Sequence, residues 1–174
     1  MDLKVIKVGY LEENCYIISS NKTIIIDPGD ESNKIIKYLE DNNLELDSIL
    51  ITHHHHDHIG ALNDLLEYKN VKVYDNSNLD EGIHNISGFN IEVIYTKGHT
   101  ADSVTYYFKD YNVMFVGDFI FEGSIGRMDL PTGSVTEMKK SLNKISKYDK
   151  NIILYPGHGD KTSLSYEKEH NPYF

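Results

Sequence analysis

The sequence predicts an α+β protein. Three observations carry that expectation. Short apolar, β-branched runs fall in two sets, stretches with helical apolar spacing separate them, and several runs end in a turn holding glycine, histidine or aspartate. The 174 residues suffice for one domain with a real core, expected to span 1–174.

The N-terminal third reads as strands. Leu3 to Val8 alternates in part, and Cys15-Tyr16-Ile17-Ile18 and Thr23-Ile24-Ile25-Ile26 are apolar runs joined by a turn at Ser20-Asn21-Lys22. Asp27-Pro28-Gly29-Asp30 stops the third strand, and Asp30 is expected to cap a helix carrying Ile35, Ile36 and Leu39 to about Asp41. Ser48 to Ile51 is a buried strand. One helix is expected after it, with Ile59, Leu62, Leu65 and Leu66 on a shared face. Val71 to Tyr74 is a strand, Asp75 to Asn85 a loop, and Ile91 to Tyr95 a strand ending near Gly98-His99-Thr100. Val104–Phe108 and Val113–Val116 form a hairpin across Lys109 to Asn112. Gly117 to Gly133 reads as irregular. Ser134 to Glu137 is a capping box opening a helix that buries Val135, Met138, Leu142 and Ile145. Ile152 to Tyr155 is the last strand, running into Pro156-Gly157-His158-Gly159.

Hydrophobic residues make up 40% and charged residues 25%, as in an ordinary globular protein. The formal net charge of −10 disfavours a nucleic-acid partner, whose phosphates demand lysine and arginine. No apolar stretch approaches the roughly 20 residues that cross a bilayer, so no membrane partner is expected. The N-terminus shows no signal peptide. The single cysteine, Cys15, rules out an intrachain disulfide framework and is expected in the core; a cytoplasmic location follows as the expectation.

The chemistry concentrates in Thr52-His53-His54-His55-His56-Asp57-His58-Ile59-Gly60. Imidazole and carboxylate are the groups that zinc and iron take as ligands. In extended backbone, residues i and i+2 point the same way, so His53 and His55 can grip one metal. Where the chain turns into a helix, Asp57 and His58 swing toward a second. His99, Asp118 and His158 arrive from three other strand ends, and the two oxygens of Asp118 suit it to bridge. Each metal then has about three protein ligands and an open place, the mark of a catalytic site. His54 and His56 fall in the gaps and line the pocket, His56 being a candidate substrate contact. His84 and His170 have no ligand context. Arg127, the only arginine, offers a planar fork for a substrate carboxylate or, alternatively, for a loop-shaping ion pair with Asp129.

With these residues in hand, the pattern Thr52-His53-x-His55-x-Asp57-His58-x-Gly60, Gly98-His99-Thr100, Gly117-Asp118 and Pro156-Gly157-His158-Gly159 resembles the metallo-β-lactamase superfamily over essentially the whole chain. Asn14-Cys15-Tyr16 and Ile26-Asp27-Pro28-Gly29 are similar to that family too. The resemblance implies a four-layer αββα sandwich with a dinuclear metal site at one edge. The segments Gly123 to Pro131, Pro156 to Thr162 and Glu169-His170-Asn171-Pro172 resemble the short glyoxalase II-like thioester hydrolases. The added helical domain of longer glyoxalase II enzymes, which helps hold glutathione, is not expected here. Ala101-Asp102 stands where many relatives have Pro-Gly.

The implied cofactors are two divalent ions, zinc first, with iron or manganese as alternatives. The implied activity is hydrolysis of 2-hydroxyacyl thioesters of a small thiol by a metal-bridging hydroxide that Asp57, both ligand and catalytic residue, orients. One rival is a persulfide dioxygenase using one iron on His53, His99 and Asp118. Another is a metal-binding module without turnover.

Overall fold

A computed structural model describes residues 1–149 and 151–174. The first sheet orders β1 (Asp2–Val8), β2 (Glu13–Ser19), β3 (Thr23–Ile26), β4 (Leu46–Leu50) and β5 (Lys72–Tyr74) side by side, antiparallel across the first three and parallel across the last three. Three helices flank β4 in the chain: α1 (Ser32–Asp41) precedes it, and α2 (His56–Ile59) and α3 (Leu62–Tyr68) follow it. The second sheet contains β6 (Gly82–Ile86), β7 (Phe89–Tyr95), β8 (Val104–Phe108), β9 (Val113–Gly117), β12 (Ile153–Pro156) and β13 (Thr162–Ser163), in the order β13-β12-β9-β8-β7-β6. A two-stranded ribbon, β10 (Ile120–Phe121) with β11 (Ser124–Ile125), precedes α4 (Val135–Ile145), and α5 (Leu164–His170) follows β13.

Strand alternation sorts the apolar residues into layers. In β2, β3 and β4, Tyr16, Ile18, Ile24, Ile26 and Leu50 face Ile91, Val93, Tyr106, Phe108 and Phe115 of the second sheet. Their neighbours Cys15, Ile17, Ile25 and Ile49 pack outward against Ile35 and Leu39 of α1 and Leu65 of α3. On the far side Met114, Val116 and Leu154 meet Met138, Leu142 and Ile145 of α4 and Leu164 of α5. The layers therefore run α/β/β/α, as the sequence resemblance implied. Strands covered on both faces read as unbroken isoleucine runs rather than alternating ones.

Several local expectations are corrected. Glu31, not Asp30, occupies the N-cap position of α1; it is left-handed at φ 51, and Asp30 Oδ1 instead accepts from Glu31 N at 2.6 Å. The helix expected after the histidines is split into α2 and α3. Gly60 lies against the Pro28-Gly29 turn, where Ala61 N donates to Pro28 O at 3.0 Å. The loop expected from Asp75 to Asn85 contains β6, paired with β7. The capping box at Ser134 forms in half: Ser134 Oγ accepts from Glu137 N at 3.3 Å, but the Glu137 carboxylate turns to Lys140. Val135 is exposed rather than buried.

One consequence of the topology positions the site. β8 is antiparallel to both β7 and β9, and β12 is parallel to β9, so β7, β9 and β12 end on the same edge. The exit of β4 joins that edge, where Val104 N donates to Thr52 O at 2.8 Å.

Candidate metal centre

The four strand ends bring the sequence-derived residues together as two facing sets. His53 and His55 leave β4 in extended backbone and meet His99 from the turn after β7. His55 Nδ1 lies 3.1 Å from His53 Nε2 and 2.9 Å from His99 Nε2. Nitrogens bound at roughly 2.0–2.1 Å to one tetrahedral zinc stand about 3.4 Å apart, so this trio fits a single ion closely. The second set is Asp57, His58 and His158, in which His158 Nε2 lies 3.2 Å from Asp57 Oδ2.

Asp118 sits between the sets. Its Oδ1 is 3.3 Å from His58 Nε2, while Oδ2 is 3.7 Å from both His99 Nε2 and His158 Nε2. One carboxylate thus faces a member of each set. Gly157 makes room for it: a Cβ there would stand 2.3 Å from Asp118 Oδ1 and 2.5 Å from His58 Cε1.

The outer hydrogen bonds decide which nitrogen of each ring is free. His58 Nδ1 donates to Asp27 Oδ2 at 3.0 Å, His99 Nδ1 to the Arg127 carbonyl at 2.8 Å, and His158 Nδ1 to the Leu11 carbonyl at 3.1 Å. Thr52 Oγ1 spends its proton on Asp27 Oδ2 at 2.5 Å, so His53 Nδ1, 3.1 Å away, must donate to it. Four imidazoles thereby have Nδ1 engaged outward and Nε2 aimed inward, the arrangement that orients metal-binding histidines. Asp27 anchors two of them and also accepts from Thr52 N at 2.7 Å. Its role escaped the sequence reading, although it too stands at the end of an apolar strand before a turn.

The electrostatics fit a cation. Burial, with His58 adding to it, lowers the His53 pKa well below the usual imidazole value, which keeps the ring neutral. Burial also opposes charge on His58, but the Asp118 and Asp27 carboxylates outweigh it and raise that pKa well above the usual value. Burial would raise the Asp118 carboxyl, yet the surrounding imidazoles, His58 first, hold it well below the carboxylate range. Among the described residues His58 Nε2 and Asp118 Oδ1 are buried without a hydrogen-bond partner, as are both oxygens of Glu13. Burial raises the Glu13 pKa well above the usual carboxylate value, with His58 offsetting this only in part. Orphaned polar atoms on neighbouring residues are what a divalent cation would satisfy.

The remaining candidates lie at the rim. The Arg127 guanidinium makes a bidentate pair with Asp129 at 2.7 Å through both Nε and Nη2, while its carbonyl supports His99. His56 opens α2 and is exposed. His54 turns from the ligands toward Asp102. His84 and His170 bond to the Asp80 and Tyr166 carbonyls, away from the site.

The chain is similar to known proteins in sequence and in fold. The model of the metallo-beta-lactamase superfamily matches residues 8–85 and 75–158. The probable metallo-hydrolase YqgX of Bacillus subtilis is 32% identical, over 95% of this chain and 94% of its own. The hydroxyacylglutathione hydrolase GloC of Haemophilus influenzae is 30% identical, over 99% of this chain and 98% of its own. Among solved structures, the BLEG-1 B3 metallo-beta-lactamase superposes with a TM-score of 0.95 at 30% identity, covering 99% of both chains. TTHA1623 in a di-iron-bound form gives 0.93 at 28%, covering 98% of this chain and 100% of that one. ETHE1 from Myxococcus xanthus gives 0.90 at 25%, covering 99% and 84%. With the matched segments reaching from the first strand through His158, the chain belongs to the metallo-beta-lactamase superfamily.

Proposed function

We propose that this chain is a dinuclear metal-dependent hydrolase that cleaves 2-hydroxyacyl thioesters of a small thiol, in the manner of glyoxalase II. The observation that carries it is Asp118 standing between His53-His55-His99 and Asp57-His58-His158, each set holding three donor residues. With Asp118 shared, each ion would have four protein donors, so a place for water and substrate would require expansion to five-coordination. The two named relatives, a probable metallo-hydrolase and a hydroxyacylglutathione hydrolase, support hydrolysis and a thioester substrate.

The residues divide the work. His53, His55 and His99 would hold one ion, Asp57, His58 and His158 the other, and Asp118 both. Bound there, the ions would supply Lewis acidity, lowering the pKa of a water toward neutrality and polarising the substrate carbonyl. Asp57 sits partly exposed at the mouth, with one oxygen toward His158, so its carboxylate can accept a proton and orient the attacking water. Departure of the thiolate needs no protein acid, because a thiolate leaves unassisted. His56 is proposed to line the acyl side. Arg127 gives its Nε and Nη2 to Asp129, so a substrate carboxylate would be met by the Nη1 side of the guanidinium.

Zinc is the proposed ion, with iron or manganese suited to the same donors. No described helix is long and apolar enough to cross a membrane. A cytoplasmic place for the enzyme suits a lone cysteine, Cys15, that is buried and unpaired.

A second reading, persulfide dioxygenation on one iron, draws on the nearness of His53, His99 and Asp118 and on the likeness to ETHE1. One experiment separates them: purified protein loaded with zinc or iron is assayed for S-lactoylglutathione hydrolysis and for oxygen uptake with glutathione persulfide. Hydrolysis without oxygen uptake supports the proposal. Oxygen uptake with iron and no hydrolysis overturns it.

A further inference from the structure

The three-imidazole set is assembled from two separate loops, so its geometry depends on how those loops are tied. At the base, Val104 N donates to Thr52 O at 2.8 Å. At the tip, a single atom, Asp102 Oδ2, accepts from His54 N at 3.2 Å and from His54 Nδ1 at 2.6 Å. His53 and His55 flank the tie on one loop, and His99 stands three residues before it on the other. His54 Nε2 faces a third segment, 3.2 Å from Asp75 Oδ2 after β5.

The loop bearing His99 is braced within itself. Thr96 N donates to Ser103 O at 2.9 Å, Gly98 N to Thr100 O at 3.0 Å, and Thr100 Oγ1 lies 2.7 Å from Ser103 Oγ. The loop is also held to the 127–134 segment, by His99 Nδ1 on the Arg127 carbonyl at 2.8 Å and Ala101 N on Thr132 Oγ1 at 3.2 Å. At its tip, however, Asp102 ties it directly to the residue between His53 and His55. A shift between the two loops would change the 2.9 Å separation of His99 Nε2 and His55 Nδ1. Ligand constellations tolerate displacements of only about 0.5 Å.

We propose that Asp102 is a positioning residue for the three-imidazole set, acting through His54. The second histidine of the run is thus the handle by which the neighbouring loop is held. This rests on the metal-dependent reading of the site. Asp102 contacts no candidate ligand side chain; its effect is carried by the backbone of residues 53–55 and 99–102.

The test is a zinc titration of the chelator-stripped full chain against a chromophoric chelator, with His55→Ala identifying the step that belongs to the three-imidazole set. Asp102→Ala weakens that step about tenfold, the low end for partners that orient ligands, and leaves the other step at its wild-type value. Asp102→Asn restores the affinity, because both donors converge on one oxygen and an amide carbonyl supplies it. Adding His54→Ala to Asp102→Ala costs little more. Equal weakening of both steps, unchanged affinity in Asp102→Ala, or an asparagine variant as weak as alanine each overturns the proposal. A wild-type chain that binds no zinc overturns the metal reading itself, which the same titration shows separately.

Discussion

Replacing Asp27 by asparagine tests whether the outer hydrogen bonds set the chemistry of the centre. Asp27 adopts a left-handed backbone, φ 50, which asparagine tolerates, so the exchange keeps shape and conformation. What changes is polarity. Asp27 Oδ1 accepts from Thr52 N, and Oδ2 accepts from both Thr52 Oγ1 and His58 Nδ1. An amide with its oxygen kept on Thr52 N turns an N–H toward two former donors. The His58 ring then loses its acceptor, and the Thr52 hydroxyl can no longer donate toward residue 27 while accepting from His53 Nδ1. Both rings are released to the tautomer with Nε2 protonated, which cannot bind a cation. The opposite amide orientation instead strands Thr52 N–H, at about 1–3 kcal/mol. Loss of such a partner costs about 10–100-fold in metal affinity, or about 1.4–2.7 kcal/mol. Since His53 and His58 belong to different sets, Asp27→Asn should weaken both zinc steps at least tenfold, while far-UV circular dichroism stays that of the wild type. Wild-type affinity at both steps would refute the tautomer argument.

Other consequences are equally direct. Gly157→Ala drives a Cβ to within 2.3 Å of Asp118 Oδ1, so zinc bound after dialysis should fall below the wild-type content by elemental analysis; full content would show that the turn yields. Arg127 holds the Asp129 carboxyl at about 2; in Arg127→Ala its pKa should rise toward the ordinary value near 4, followed by carbon NMR titration. Because the folded-state pKa is depressed, the pair's stabilising contribution is present above the unfolded-state value, near 4, and is lost as pH falls toward 2. An Asp129 pKa that stays low would deny the pairing. Tyr16→Phe removes the hydroxyl that donates to Pro156 O, which Asn14 Nδ2 still satisfies at 3.0 Å; urea denaturation should register a loss of about 1 kcal/mol. A loss above 3 kcal/mol would mean that the carbonyl is not so shared.

The centre was legible in the sequence to the extent that ligand spacing follows local backbone. His53 and His55 face one way because the chain leaves β4 extended, and Asp57 and His58 depart from them because α2 begins there. His99, Asp118 and His158 were legible as strand ends, and parallel alignment of β7, β9 and β12 is what unites them. Asp27 was not, since its left-handed backbone and its reach to Thr52 and His58 are products of the tertiary fold. Nor was Glu13, whose isolation arises only when β2 meets the His158 turn. β6 was missed because Gly82-Ile83-His84-Asn85-Ile86 carries little strand propensity and is held chiefly by its ladder with β7. The break between α2 and α3 follows from the close approach of Gly60 to Gly29, again a contact between distant segments.

The central claim is that two ions share Asp118, and native mass spectrometry of the chelator-stripped chain titrated with zinc tests it most directly. Two zinc ions should load per chain, and Asp118→Ala should lower the occupancy of both. Saturation of the wild-type chain at one ion, or an Asp118→Ala chain that still loads two, would contradict it.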